Sequence, residues 1–73
     1  MDIGHAVAAL KMGGRVTRRG WNGKDMFLEL QKPDNNSLMT LPYVFMYTAG
    51  GDLVPWFCSQ VDLLAYDWVE VDK

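Results

Sequence analysis

The order of apolar and polar residues changes period several times along this chain. Ile3, Ala6, Val7 and Leu10 recur at spacings of three and four, which predicts a helix from Ile3 to Met12 with that stripe facing inward. Asp2 is a fitting N-cap, Lys11 lies in the last turn where the helix dipole favours a cation, and Gly13-Gly14 closes the helix. His5 falls on the polar side. Arg15 to Arg19 alternates weakly around Val16 and Thr17 and reads as a first strand. Gly20-Trp21-Asn22-Gly23 reads as a turn, because Asn-Gly accepts the positive backbone angles of tight hairpins. Asp25 to Gln31 follows as a second strand, with Met26, Leu28 and Leu30 on one face and Phe27, Glu29 and Gln31 on the other. The two strands are expected to form a hairpin with Trp21 at its tip.

Lys32 to Thr40 carries the Pro, Asp, Asn and Ser of a loop. Leu41 to Thr48 reads as a third strand with Tyr43, Phe45 and Tyr47 on one face and Val44 and Met46 on the other, so both faces are apolar. Such a strand in a small protein calls for a second covering layer, which a partner subunit supplies. Ala49-Gly50-Gly51-Asp52 is a hairpin turn into the short strand Leu53-Val54, and Pro55 holds Val54 extended. Ser59, three residues before Asp62, marks a helix N-terminus of about two turns, and Asp67 to Asp72 reads as the last strand. The class is α+β: a small antiparallel sheet of about five strands, an N-terminal helix, and one short helix before the last strand, in a single domain over residues 1–73. Trp68, flanked by strand residues, is expected in the core. Trp21 and Trp56 each fit either a core position or a ligand contact.

A chain of 73 residues has a narrow margin of stability unless something staples it. Cys58 is the only cysteine, so no intrachain disulfide forms, and it is expected to be a small buried hydrophobe. One Cys and one His do not make a zinc site, and neither metal nor cofactor is expected. Self-association remains, and 49% hydrophobic residues suit it. Asp2 and His5 interrupt the start of the chain, no apolar run reaches the ~20 residues of a membrane span, and a lone cysteine fits a reducing compartment. A cytoplasmic protein away from membranes is expected. The net charge of −2 argues against nucleic acid polymers as partners. Charge is uneven, however: residues 1–32 hold six Lys/Arg and three Asp/Glu, and residues 33–73 hold one and six. That dipole suits assembly with further copies or a local basic patch for phosphate.

Catalytic arrangements are poorly supplied. Nothing along the chain brings His5 near Ser59 or Cys58, and Ser59 is better explained as a cap. Asp62 and Asp67, five apart across a helix end, are not expected to face each other. Neither Gly13-Gly14 nor Gly50-Gly51 carries the Lys and Ser/Thr of a phosphate loop. These residues describe a binding protein rather than an enzyme.

Two segments carry a resemblance. Arg18-Arg19-Gly20-Trp21-Asn22-Gly23-Lys24-Asp25-Met26-Phe27-Leu28 matches a pattern R-x-G-W-N-G-K-x-M-F-L with its arginine at Arg18. Val54-Pro55-Trp56, Ser59-Gln60, Asp62, Leu64-Ala65 and Asp67-Trp68 match V-P-W-x-x-S-Q-x-D-x-L-A-x-D-W. In this order the chain resembles the Thoeris anti-defence two family of phage proteins, over residues 2–31 and 43–71. The segment Lys32–Pro42 is shorter than in longer relatives. The resemblance implies a homotetramer in the host bacterial cytoplasm. It would sequester, without cleaving, a cyclic nucleotide immune signal. That signal is glycocyclic ADP-ribose made by TIR-domain proteins, with cyclic oligonucleotides bound by some relatives at a separate site.

The residues available suit such a ligand. Stacking of a base on an aromatic ring is worth about 1–3 kcal/mol, and Trp21, Phe27 and Trp56 are candidates. Arg18, Arg19, Lys24 and the helix start at Ser59 are candidates for a pyrophosphate. Asn22, Gln60 and Asp62 are candidates for ribose hydroxyls, although caps and turns use such residues too. Two other classes fit parts of the chain. A small oligomeric structural or assembly protein of a phage or prophage, without a small-molecule ligand, accounts for the two-faced third strand. A nucleic-acid-binding regulator accounts for Arg15 to Lys24 but not for the acidic second half.

Overall fold

A computed structural model of the chain describes residues 1–21 and 25–71. The expected turn at Asn22-Gly23 and the end of the last strand at Asp72 lie outside the described residues. The element order is α1 (Ile3–Lys11), β1 (Arg15–Arg18), β2 (Phe27–Gln31), β3 (Tyr43–Tyr47), β4 (Leu53–Pro55), α2 (Gln60–Leu63) and β5 (Trp68–Val71). The five strands form one sheet in the order β4-β3-β2-β1-β5 with every pair antiparallel. This is the expected α+β arrangement. Among the described residues no helix is long and apolar enough to cross a membrane.

Local chemistry sets both ends of α1. The Asp2 carboxylate accepts the His5 N–H at 3.0 Å, and this bond holds its carboxyl below the usual range. At the other end Gly14 N–H donates to the Ala9 carbonyl and Gly13 N–H to the Leu10 carbonyl, each at 3.0 Å. Gly13 adopts φ +88°, the left-handed conformation that lets this C-terminal motif close without a Cβ penalty. The buried stripe is Ala6, Ala9 and Leu10. Val7, expected to face inward, is 37% exposed, and Ala9 takes the inner position. Two of the three buried helix positions are alanines, so the face turned to the sheet is built mostly of small side chains.

Each strand is shorter than its apolar pattern. Asp25, at φ +63°, is left-handed and leaves the extended geometry, so β2 begins at Phe27 rather than Asp25. Pro42 has no N–H, and pairing of β3 starts at Tyr43 opposite Gln31. β4 continues one residue beyond Val54 to Pro55, which an edge strand tolerates. The β3–β4 turn closes with Thr48 N–H on the Asp52 carbonyl (2.8 Å) and Gly51 at φ +90°. β1 meets β2 at Val16 opposite Leu28, and on its other side it pairs with β5 from Arg15–Val71 to Arg18–Trp68. α2 is a single turn, not two, because the Ala65 N–H tightens onto Asp62 and the chain turns directly to β5.

The core lies between α1 and one face of the sheet. Ala6, Ala9, Leu10, Val16, Leu28 and Trp68 form its centre, with Ile3, Trp21, Leu30, Val44, Met46, Trp56 and Ala65 packed around them. Trp68 is fully buried, as expected, and its indole N–H donates to the Asp62 carbonyl at 3.0 Å. Both open tryptophans therefore belong partly to the core.

The helix register makes a direct prediction. Leu10→Ala should cost about 2–5 kcal/mol because it leaves a cavity against the sheet. Val7→Ala should stay within about 0.5 kcal/mol, as for an exposed position. Urea denaturation of the two variants checks the difference, and equal losses would place the helix in another register.

Candidate functional site

The C-terminal end of β1 and the segment from Ser59 to Trp68 meet at one guanidinium. The β1–β5 register sets Arg18 opposite Trp68, so its side chain reaches the chain on both sides of α2. Arg18 Nη1 donates to Asp62 Oδ1 at 2.7 Å, Nε to Asp67 Oδ1 at 2.7 Å and Nη2 to Asp67 Oδ2 at 3.3 Å. The Arg18 and Asp62 side chains keep only 15% and 14% of their exposure. Asp62 Oδ1 also accepts the Trp21 indole N–H at 3.1 Å, and Asp67 Oδ2 accepts the Gly20 N–H at 2.8 Å. Asp62 and Asp67, which were not expected to face each other, converge on this shared cation.

Close packing accompanies these bonds. Trp21 and Trp56 both stand edge-to-face against Trp68, with ring centroids at 5.4 and 5.9 Å. A Cβ at Gly20 would come within 3.0 Å of Asp67 Oδ2 and 3.3 Å of Arg18 Nη2, so a side chain there would push on the bonded Arg18–Asp67 pair. Ser59 is the N-cap of α2, as expected, and its hydroxyl accepts the Asp62 N–H at 3.0 Å. One residue, Asp62, thus receives the cap bond through its backbone and holds both Arg18 and Trp21 through its carboxylate.

The ion pairs set the protonation states. The Asp67 bonds, then those of Asp62, raise the Arg18 guanidinium above its ordinary value. Burial pushes the Asp62 carboxyl up, but hydrogen bonds from Arg18, Trp21 and Ser59 outweigh it and the net shift is downward. Arg18 likewise holds Asp67 below the usual carboxylate range. Both carboxylates are charged at neutral pH, and with Arg18 they leave the cluster one negative charge.

The structure sorts the sequence-derived candidates. Arg18, Trp21, Trp56, Ser59 and Asp62 come together, with Gln60 exposed beside them in the first turn of α2. Arg18 spends three N–H bonds on the two carboxylates of Asp62 and Asp67. Arg19 is exposed, while its N–H holds the Asp67 carbonyl at 3.1 Å. α2, with one turn, has little dipole to offer an anion. Phe27 lies on the opposite face of the sheet, stacked on Tyr47 at 4.1 Å with Arg15 over its ring, and does not join the cluster. Asn22 and Lys24 lie outside the described residues.

Cys58 is exposed, not buried as expected, because the extended segment before the Ser59 cap projects from the core. Partial burial of its sulfur and the nearby Asp62 charge push the thiol up, so it is protonated at neutral pH and a poor nucleophile. His5 is exposed with its ring against Asp2, within its own helix. Asp67 was missed as a member of the cluster, since only the β1–β5 pairing brings it to Arg18. Phe57 (89% exposed) and Tyr66 (83%) were missed as exposed aromatics flanking α2. Open grooves occur elsewhere too, among them one of about 460 Å³ lined by Met39, Thr40, Leu41, Pro42, Tyr43 and Pro55.

The family model of the Thoeris anti-defense 2-like domain matches residues 1–71. A curated relative named Thoeris anti-defense 2, from Bacillus phage SP01, is 37% identical over 81 aligned positions, covering 93% of this chain and 91% of the relative.

Two consequences are measurable. Ser59→Ala should lower stability by about 1 kcal/mol through the lost cap. The lowered Asp62 and Asp67 carboxyls contribute stability that is complete above the unfolded carboxylate value near pH ~4 and is lost as pH falls through their lower folded values. An acid titration of the melting temperature should fall steeply below about pH 4 in the parent and less steeply in Asp67→Asn, which starts lower at neutral pH. Parallel curves would show that the pair carries no linkage.

Proposed function

Because the chain belongs to the Thoeris anti-defense 2-like family, we propose that it binds a cyclic nucleotide immune signal, glycocyclic ADP-ribose made by TIR-domain proteins, and holds it without cleaving it. The family is one of anti-defence proteins directed at Thoeris rather than of known enzymes. In this reading the chain is a phage protein acting in the host bacterial cytoplasm as a homotetramer. Removal of free signal leaves the downstream effector silent.

The observation that carries the reading is the bond between Trp21 Nε1 and Asp62 Oδ1, across 41 residues of sequence. It joins the two family motifs into one surface. That surface presents the half-exposed indoles of Trp21 and Trp56 for an adenine. Ser59 and Gln60 serve ribose hydroxyls, as does the second oxygen of Asp62. The pyrophosphate falls to Arg19 and to Lys24, its neighbour in the basic segment, because Arg18 is neutralised by its own carboxylates. Arg18 then acts by holding Trp21 and Asp62 in place. Cyclic oligonucleotides share the base and phosphate chemistry and are second candidates.

Stacking, a charge-assisted phosphate contact and several ribose hydrogen bonds together are sufficient for nanomolar affinity, about −12 kcal/mol. The sequestration test mixes the protein with glycocyclic ADP-ribose, measures loss of free ligand, then heat-denatures the complex and identifies what is released. Recovery of the intact molecule is expected, and Trp21→Ala or Trp56→Ala should weaken binding by roughly tenfold or more. A hydrolysed product accumulating over many turnovers would make the protein an enzyme. No depletion of any cyclic nucleotide would favour the assembly-protein reading, which the uncovered aromatic face of the sheet supports.

A further inference from the structure

Arg18 meets Asp62 in a fixed direction only if something else holds its guanidinium plane. The 2.7 Å bond from Nη1 to Asp62 Oδ1 leaves the planar group free to turn about that bond. Asp67 supplies two more bonds along the adjacent edge, from Nε at 2.7 Å and from Nη2 at 3.3 Å. Bidentate pairing of this kind fixes the plane of an arginine as well as its distance. The carboxylate is itself anchored. Asp67 immediately precedes β5, its carbonyl accepts the Arg19 N–H at 3.1 Å, and β5 pairs with β1 through Trp68 opposite Arg18.

The same carboxylate also grips the main chain. Asp67 Oδ2 accepts the Gly20 N–H at 2.8 Å, one residue before Trp21. The indole is reached by a second route, since Asp62 Oδ1 receives Arg18 Nη1 and Trp21 Nε1 together. Asp67 thus acts on Trp21 from both ends, through Gly20 on its backbone and through Arg18 and Asp62 on its ring. Packing of Trp21 edge-to-face on Trp68, at 5.4 Å, sets how close the ring lies but directs it far less than a hydrogen bond does.

We infer that Asp67 is a positioning residue that sets the orientation of the Trp21 indole without itself meeting a ligand. The inference rests on the assignment of Trp21 to the ligand's base, and it adds a residue that serves this site at second hand. Both Asp67 oxygens are taken by donors of the chain. An asparagine of the same shape cannot replace it. Whichever way the amide turns, its NH2 faces either Arg18 Nε or the Gly20 and Arg18 Nη2 donors. Loss of the charge still leaves Arg18 and Asp62 as a neutral pair, so no unpaired buried cation remains to unfold the chain.

Asp67→Asn is measured first without ligand, by hydrogen exchange of the indole N–H groups. The Trp21 signal is the one missing from Trp21→Ala. Its exchange should accelerate at least about tenfold, and that of Trp68, fully buried and bonded to the Asp62 carbonyl, much less. General loosening of the fold would accelerate both alike, and an unchanged Trp21 rate would show no hold on the ring. Either result overturns the inference. The binding arm uses glycocyclic ADP-ribose well below the melting temperature of every variant. Asp67→Asn should raise Kd about fivefold or more in the parent and less than about twofold in Trp21→Ala, because a residue that acts through the ring has nothing to act on once the ring is gone. Equal factors in the two backgrounds would also overturn the inference. If circular dichroism shows Asp67→Asn unfolded, Gly20→Ala takes its place, since its Cβ at 3.0 Å from Asp67 Oδ2 pushes that carboxylate off its donors. The same selective acceleration at Trp21 is then expected, and an unchanged Trp21 rate overturns the inference. Selective acceleration at Trp21 in a chain whose parent binds no nucleotide would support the hold on the ring and end the sequestration reading alone.

Discussion

One guanidinium shared by two carboxylates holds the α2 end of this protein in shape. Arg18 ends β1, Asp62 sits in the single turn of α2, and Asp67 immediately precedes β5. Without that cation, two carboxylates and a short helix would have to stay in place on side-chain packing alone. α2 has four residues and buries none of them, so its own helical stability is negligible. Its position comes from the Arg18 bond, the Trp21 and Trp68 indoles hydrogen-bonded to Asp62, and the Ser59 cap. The same contacts that position α2 position Trp21. Arg18 therefore acts on α2 and on Trp21 together, through the carboxylate of Asp62.

The chain spends its apolar residues on two surfaces. The first is the narrow layer between α1 and the sheet, where Ala6, Ala9 and Leu10 bring the helix close to Val16, Leu28 and Trp68. The second is the aromatic far face, where Phe45 is buried by its neighbours in the sheet and no helix among the described residues covers it. A protein this small has a narrow margin of stability, and this second surface adds to it only where something covers it. The rim around α2 keeps Trp21 and Trp56 half-exposed and Phe57 and Tyr66 exposed.

Much of this was legible wherever the physics is local. Asp2 and Ser59 were readable as caps because a capping side chain acts within three residues of itself. Gly13-Gly14 announced the end of α1, and the period of two separated Leu28 from Phe27. That alternation already set Phe27 on the side away from the core, so grouping it with Trp21 as a base-stacking residue went against its own strand pattern. What was not legible depends on pairing across the chain. The β1–β5 register, which opposes Arg18 to Trp68, leaves no short-range trace, and with it goes the convergence of Asp62 and Asp67. Val7 and Ala9 exchanged places for a related reason: alanine gives a weak apolar signal, but the face turned to the sheet is built mostly of small side chains. Several motif positions, Arg18, Trp21, Trp56, Ser59 and Asp62, meet in the fold, where Arg18 is bonded to Asp62 and Asp67.

The three tryptophans provide three indole N–H resonances, one in the core and two on the rim. Titrating isotopically labelled protein with glycocyclic ADP-ribose and following these signals is the most direct test of where the ligand sits. The account predicts large shifts for Trp21 and Trp56, the smallest for Trp68, and saturation at stoichiometric ligand. Unmoved Trp21 and Trp56 signals at saturating ligand, or shifts confined to the Phe27 and Tyr47 face, would contradict it.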